Sequence, residues 1–203
     1  MKIFCVGRNY VAHAIELNNE VPEEPVIFMK PKSALLQAHT PFYYPEFTNE
    51  LHYETELVLH VSKNGKYINE AHAGKYYDSI SVGIDFTARD VQTELKKKSL
   101  PWEKAKAWDG SAVLGKWHTL TKEMLKNPFE FSMQLNDTVV QKDSSTNMIF
   151  SFDRIVSEIS QYFALNIGDL IYTGTPEGVG ECVVGDVLKG FLGDEKVFEI
   201  DIK

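Results

Sequence analysis

The sequence predicts a strand-rich α+β fold, closed into a barrel or a folded sandwich. Three observations lead there. Short apolar runs bounded by Gly, Pro and Asn recur along the whole chain, three segments carry helical periodicity, and no heptad, solenoid repeat or low-complexity tract interrupts them.

Ile3 to Val6 is a short apolar strand stopped by Gly7, and Asn9 is placed as the N-cap of a short helix from Tyr10 to about Leu17. Asn18 to Pro25 is polar and broken by Pro22 and Pro25, so it reads as a mobile loop. Val26 to Met29 is a buried strand ending at Lys30-Pro31. His39 to Asn49, with two prolines and four aromatics, is an extended connection. Glu50 to Val61 reads as one strand, turned at Asn64-Gly65. Ser79 to Asp85 is a further strand, Thr87 to Lys98 a helix, and Leu100 to Gly110 a loop dense in Lys and Trp. Phe129 to Leu135 and Val139 to Gln141 form a hairpin about Asn136-Asp137. Ser151 to Ala164 is an amphipathic helix with Phe152, Ile155, Val156, Ile159 and Phe163 on one face. A strand from Ile167 runs into a Gly-rich loop ending at Gly180, and Val187 to Phe191 and Val197 to Ile202 flank Gly193-Asp194.

With 203 residues, 43% apolar and 25% charged, the expectation is one domain spanning residues 1–203 with a substantial core. A formal net charge of −8 argues against nucleic-acid binding and against an anionic membrane surface. An acidic substrate must then be drawn in by a metal and a few local Lys or Arg residues. Cys5 and Cys182 lie far apart and neither has a zinc-ligand neighbour, which disfavours a disulfide framework or a structural zinc. Met1 to Val6 is too short for a signal-peptide core and no run approaches membrane-spanning length, so the expected compartment is the cytoplasm.

Glu54-Thr55-Glu56 carries the most chemical information. Alternation along a strand points both carboxylates to one face, where they repel unless a cation lies between them. Hard divalent ions take carboxylate oxygens, so the pair is half a metal site, and Asp85 supplies a third acid if it converges on them. The competing reading is a salt-bridged or solvated strand face; on pattern alone the two are even. His52 lies on the Glu face as a further ligand or a partner of one. Asp85 also fits a helix cap, and Arg89 and Gln92 share its face if the helix starts there, an arrangement suited to a carboxylate-bearing substrate. His13 and Glu16, spaced i, i+3, form either a surface ion pair or an imidazole made more basic by its carboxylate. Lys106 reads as an ordinary exposed lysine. Thr173 to Gly180 offers backbone N–H groups to an anion but lacks the Lys and Ser/Thr of a nucleotide P-loop.

Gly7-Arg-Asn-Tyr10 with His13 and Glu16, Glu24-Pro-Val-Ile-Phe-Met-Lys-Pro31, His52-Tyr-Glu-Thr-Glu56, Gly83-Ile-Asp-Phe-Thr-Ala-Arg-Asp-Val-Gln92, Leu100-Pro-Trp-Glu-Lys-Ala-Lys106 and Thr173-Gly-Thr-Pro-Glu-Gly-Val-Gly180 occur in that order. The set closely resembles the fumarylacetoacetate hydrolase family, in its single-domain acylpyruvase and oxaloacetate-decarboxylase branch, over nearly the whole chain. The resemblance implies a rolled mixed β-sheet with a few short helices, a lid helix hinged at Asn18 to Pro25, and a homodimer. It implies Mg²⁺ or Mn²⁺ on Glu54, Glu56 and Asp85, with Lys106 beside the metal and His13 and Glu16 activating water. It further implies a substrate pocket lined by Arg89, Gln92 and Thr175. Glu177 departs from the small residue or Asp that many members carry, and is expected to tune substrate choice. The activity implied is C–C hydrolysis of acylpyruvates (2,4-dioxo acids) to pyruvate and a carboxylate, with oxaloacetate decarboxylation as a side activity. The alternatives are an isomerase or tautomerase of the 2-hydroxyhepta-2,4-diene-1,7-dioate or oxaloacetate type, and a non-catalytic binding domain.

Overall fold

In a computed structural model, which describes residues 1–17, 19–38 and 40–203, the chain is a strand-rich α+β structure whose main sheet is curled. Asn18, at the start of the expected lid hinge, and His39 lie outside the described residues. The first half runs β1 (Ile3–Gly7), α1 (Val11–Glu16), β2 (Val26–Lys30), β3 (Leu51–Tyr53), β4 (Thr55–Val61), β5 (Tyr77–Asp85), β6 (Thr87–Ala88), α2 (Arg89–Lys97) and α3 (Glu103–Lys106). The second half runs β7 (Ala112–Leu114), β8 (His118–Thr119), β9 (Glu130–Leu135), β10 (Thr138–Ser144), α4 (Phe152–Tyr162), β11 (Leu170–Tyr172), β12 (Gly180–Glu181), β13 (Val187–Leu192) and β14 (Glu195–Asp201).

Seven strands form the main sheet in the order β2-β1-β11-β4-β5-β7, with β8 also on β5; β1 and β11 are parallel. A four-stranded sheet, β10-β9-β13-β14, and a three-stranded one, β12-β3-β6, complete the fold. Both faces of the main sheet are covered, so strand alternation sorts its side chains into two cores. Phe4, Val6, Leu57, Leu59, Ile80, Val82 and Ile84 pack with Ile155, Val156 and Ile159 of α4 and with Phe131, Met133 and Leu188 of the second sheet. Ile3, Cys5, Val58 and Tyr172 form a smaller core on the opposite face. Glu56 is two residues from Val58, and Asp85 one from Ile84, so both carboxylates share the face of the smaller core.

Several local expectations change. The run from Glu50 to Val61 is two strands in two sheets, β3 and β4, broken at Glu54. There the ladder is replaced: the Glu54 carbonyl accepts the Asp85 N–H (2.8 Å), and the Thr55 N–H donates to Gln141 Oε1 (2.9 Å). The helix after Asp85 begins only at Arg89, because Thr87–Ala88 first pair with β3; Asp85 is the last residue of β5 and caps nothing. Tyr10, and not Asn9, precedes α1, since the Asn9 side chain is committed elsewhere. Lys106 ends a short helix within the segment read as loop, and is 3% exposed. The hairpin at Asn136-Asp137 holds, with both residues in the left-handed region (φ 49° and 67°) that such turns need. Among the described residues no helix is long and apolar enough to cross a membrane.

Candidate active site

The break at Glu54 brings the acids together. Glu54 sits at the junction of β3 and β4, Glu56 one residue into β4, and Asp85 at the end of the neighbouring β5, where Glu56 pairs with Gly83. One oxygen from each of the three lies within 4.8 Å of the others, and all three side chains are buried. The three-carboxylate convergence expected from the sequence is therefore present.

Basic side chains surround the acids. Lys106 Nζ donates to Glu54 Oε2 (2.7 Å), Asp85 Oδ2 (2.8 Å) and Thr87 Oγ1 (2.5 Å), which uses all three of its hydrogens. Burial opposes its charge, but Asp85 and Glu54 outweigh burial and hold the ammonium above its ordinary pKa. Arg89 Nη2 reaches Glu54 Oε1 at 2.5 Å, Nη1 donates to Gln92 Oε1 (2.7 Å) and Nε to His52 Nδ1 (3.2 Å). His52 Nε2 lies 3.0 Å from Glu50 Oε1, so His52 braces the guanidinium and is no ligand. Burial alone would raise the Glu54 carboxyl; Lys106 and Arg89 pull it well below the usual carboxylate range.

Glu56 differs. Its hydrogen-bond partner is the backbone N–H of Gly174 (2.6 Å), and burial together with the Asp85 charge pushes its carboxyl well above the usual range. Asp85 Oδ1 is buried without a hydrogen bond: Lys30 Nζ stands 2.7 Å away as a charge, but its donors are aimed at Ser111 and at the Phe86 and Lys106 carbonyls. An under-bonded carboxylate oxygen beside an uncompensated carboxylate is what a hard divalent cation would satisfy, and the all-oxygen donor set suits Mg²⁺ or Mn²⁺. The residues fit the ion. Lys30, Lys106 and Arg89 match the three carboxylates in number, although all of their ion pairs fall on Glu54 and Asp85 and none on Glu56, so an ion there would leave the cluster net positive and receptive to an anion.

His13 of α1 lines the same cavity, with Glu16 behind it. His13 is buried, its Nδ1 lies 3.3 Å from Glu16 Oε2, and burial lowers its pKa, so the imidazole is neutral near pH 7. A carboxylate only accepts, so Nδ1 carries the proton and Nε2 is the free base. Glu16 Oε1 also accepts the Gly178 N–H (3.0 Å), tying the helix to the Gly-rich loop. Gly174 in that loop has φ +103°, and a Cβ there would lie 2.6 Å from Asn9 Cβ; glycine lets the loop present its N–H to Glu56. His13, Glu54, Glu56, Asp85, Arg89, Gln92, Lys106 and Thr175 all line one cavity, whose apolar wall includes Phe28 and Trp102. Glu177 is exposed and does not line it, which removes the basis for its expected role in substrate choice.

Three further residues serve the site. Lys30 shares a strand face with Phe28, and that alternation was a signal for an inward lysine. The Asn9 side chain bonds the Phe150 N–H (2.7 Å), the Phe150 carbonyl (3.1 Å) and the Thr173 carbonyl (2.7 Å), an arrangement without a local sequence signal. Gln141 accepts from Thr55 N–H and donates to Thr175 Oγ1 (2.9 Å) and the Pro176 carbonyl (3.1 Å), holding the carboxylate strand against the pocket loop. Gln141→Leu is expected to cost about 1–3 kcal/mol in urea unfolding, because Thr55 N–H is left buried without an acceptor.

The chain matches the model of the fumarylacetoacetate (FAA) hydrolase C-terminal family over residues 2–203. It is 41% identical over 197 residues to the mitochondrial oxaloacetate tautomerase oaa1 of Schizosaccharomyces pombe, covering 94% of this chain and 88% of that protein. It is 38% identical over 205 residues to a mitochondrial oxaloacetate decarboxylase of Dictyostelium discoideum, covering 99% of this chain and 93% of that one. The crystal structure of fumarylpyruvate hydrolase from Pseudomonas aeruginosa, in complex with Mn²⁺ and pyruvate, superposes with a TM-score of 0.92 at 33% identity, covering 100% of this chain and 89% of that chain. The cytoplasmic expectation is corrected here: both curated relatives are mitochondrial proteins, and a short apolar N-terminus was no measure of compartment. Sequence, fold and the ordered motifs agree that this protein belongs to the fumarylacetoacetate hydrolase family.

Proposed function

We propose that this protein is a divalent-metal-dependent enzyme that interconverts the enol and keto forms of oxaloacetate, acting as one catalytic domain on a small 2-oxo acid. The observation that carries the reading is a neutral, buried His13, held by Glu16, facing the same cavity as the three carboxylates and Lys106. The tautomerase relative supports oxaloacetate as the substrate, ahead of the acylpyruvate hydrolysis first expected.

Mg²⁺ or Mn²⁺ held by Glu54, Glu56 and Asp85 would supply a Lewis acid for the 2-oxo oxygen. His13 Nε2 takes a proton from carbon 3 of the keto form and the imidazolium gives it to the 2-oxygen of the resulting enolate. In the other direction Nε2 takes the enol O–H proton and delivers it to carbon 3, with Glu16 stabilising the imidazolium that forms between. Lys106 contributes a positive charge that steadies the developing enolate. Because its hydrogens are all in use, it engages a substrate oxygen only by releasing Thr87 or a carboxylate. Arg89 keeps Glu54 ionised and oriented, and Gln92 keeps Arg89 in place.

Acylpyruvate hydrolysis is the second reading, favoured by the same His13–Glu16 pair, which can draw a proton from water as readily as from carbon. The homodimer belongs to this proposal too.

Two measurements test it. Saturating Mg²⁺ with oxalate should raise Tm by about 5–10 °C over chelator-treated protein, since ligand at ~100 Kd contributes about 2.7 kcal/mol. Chelator-sensitive conversion of enol-oxaloacetate should exceed cleavage of acetylpyruvate. Faster acetylpyruvate cleavage would select hydrolysis, a Tm shift without turnover would select the non-catalytic binding domain, and neither shift nor turnover would end the metal-site reading.

A further inference from the structure

Beyond the buried cluster, the cavity rim carries two more cations. Arg8, half-buried, follows β1, and Lys96 is exposed on the last turn of α2; both line the cavity that holds the three carboxylates. Among the described residues neither side chain makes a hydrogen bond or an ion pair. Lys96 Nζ instead lies 5.6 Å from the centre of the Trp102 ring. Arg8 has a left-handed backbone, φ 60°, uncommon for a long side chain.

Arg89, the residue that the sequence marks as a carboxylate receptor, already commits one N–H of each of its nitrogens to Glu54, Gln92 and His52. The charge of Arg89 is already engaged with Glu54, whereas Arg8 and Lys96 are the cations lining the cavity that make no ion pair among the described residues, and so are the better placed to meet a second carboxylate on the substrate. We propose that Arg8 and Lys96 form a subsite for the distal carboxylate of a dicarboxylic 2-oxo acid, whose oxo-acid end faces Glu54, Glu56 and Asp85. The inference deepens the reading of the site as one for oxo acids, and rests on it for the orientation of the ligand.

The physical case is charge balance. With an ion present the buried cluster is net positive, and one carboxylate of the ligand offsets only part of that charge. Two further cations at the rim repel each other and the cluster until an anion lies between them. Partial burial, then the nearby Arg89 and Arg8 charges, lower the Lys96 pKa against the opposing pull of Glu54, which places the ammonium within reach of the other cations. In a chain of net charge −8, such a local excess is a selective feature for a dianion.

The test compares two inert ligands of equal length on Mg²⁺-loaded protein by calorimetry: 2-oxoglutarate, with a distal carboxylate, and 2-oxopentanoate, with a methyl in its place. Wild type should bind the dicarboxylate about tenfold or more tightly, as expected for a charge-assisted contact. In the double variant Arg8→Gln, Lys96→Met the ratio should fall to about one. Lys96→Met keeps the stem against Trp102, and retained affinity for oxalate, which spans only the metal end, reports a folded site. A ratio near one in wild type, or an unchanged ratio in the double variant, overturns the subsite. Turnover of oxaloacetate is read separately: a high ratio without turnover ends the tautomerase reading and leaves the subsite standing, while turnover with a ratio near one does the reverse.

Discussion

His13→Ala is expected to lower the rate of enol–keto conversion by about 10²–10⁴-fold, the usual contribution of a positioned general base. The imidazole is the only neutral base of its kind among the described cavity residues; the carboxylates there are either paired with cations or bonded to backbone. Removing it leaves no group to exchange the carbon-bound proton. Oxaloacetate decarboxylation should fall much less, because loss of CO₂ generates the enolate without proton abstraction and solvent can protonate it afterwards. Parallel rates measured on one preparation decide the matter: equal loss of both reactions would deny His13 a separate proton-handling role. Oxalate affinity serves as the control for an intact site.

Lys106→Met is expected to destabilise the metal-free protein by about 3–5 kcal/mol, or roughly 6–20 °C in Tm. The ammonium is the one counter-charge shared by Glu54 and Asp85, and the methionine stem fills its volume but leaves two buried carboxylates with one cation each, Arg89 and Lys30, where each had two. Saturating Mg²⁺ should restore much of the lost stability, because an ion on those carboxylates supplies the missing charge. Turnover should stay low even when Tm recovers, since the charge that steadies the enolate is still gone. Thermal scans with and without Mg²⁺ separate the two roles. Equal Tm values for variant and wild type in chelator would show that the lysine is not the balancing charge in the metal-free protein.

Much of this site was legible in the chain, for a physical reason. Glu54 and Glu56 announce themselves because strand alternation is a local rule, and Asp85 because it ends an apolar run that can only be a buried strand. What the sequence misplaced depends on the partner, not on the run itself. Glu50 to Val61 reads as one strand because nothing local says that β3 pairs with β6 and β12 while β4 pairs with β5 and β11. His52 was aligned with the acids on that assumption, and the break at Glu54 turns it to Arg89 instead. Lys106 read as exposed because burial of a lysine needs acids from segments 52 and 21 residues away. Gln141 and Asn9 act across 86 and 141 residues, distances at which spacing carries no information.

The break at Glu54 has a mechanical consequence. It is a seam between two hydrogen-bonded networks, and the ligand set straddles it: Glu54 stands on the seam itself, while Glu56 and Asp85 are anchored in the larger network. Sliding one network past the other by a single ladder step, a few ångströms, would carry Glu54 out of reach of the other two carboxylates. Alignment of the seam and tenancy of the acidic cluster are thus coupled quantities, and whatever stiffens one sharpens the other.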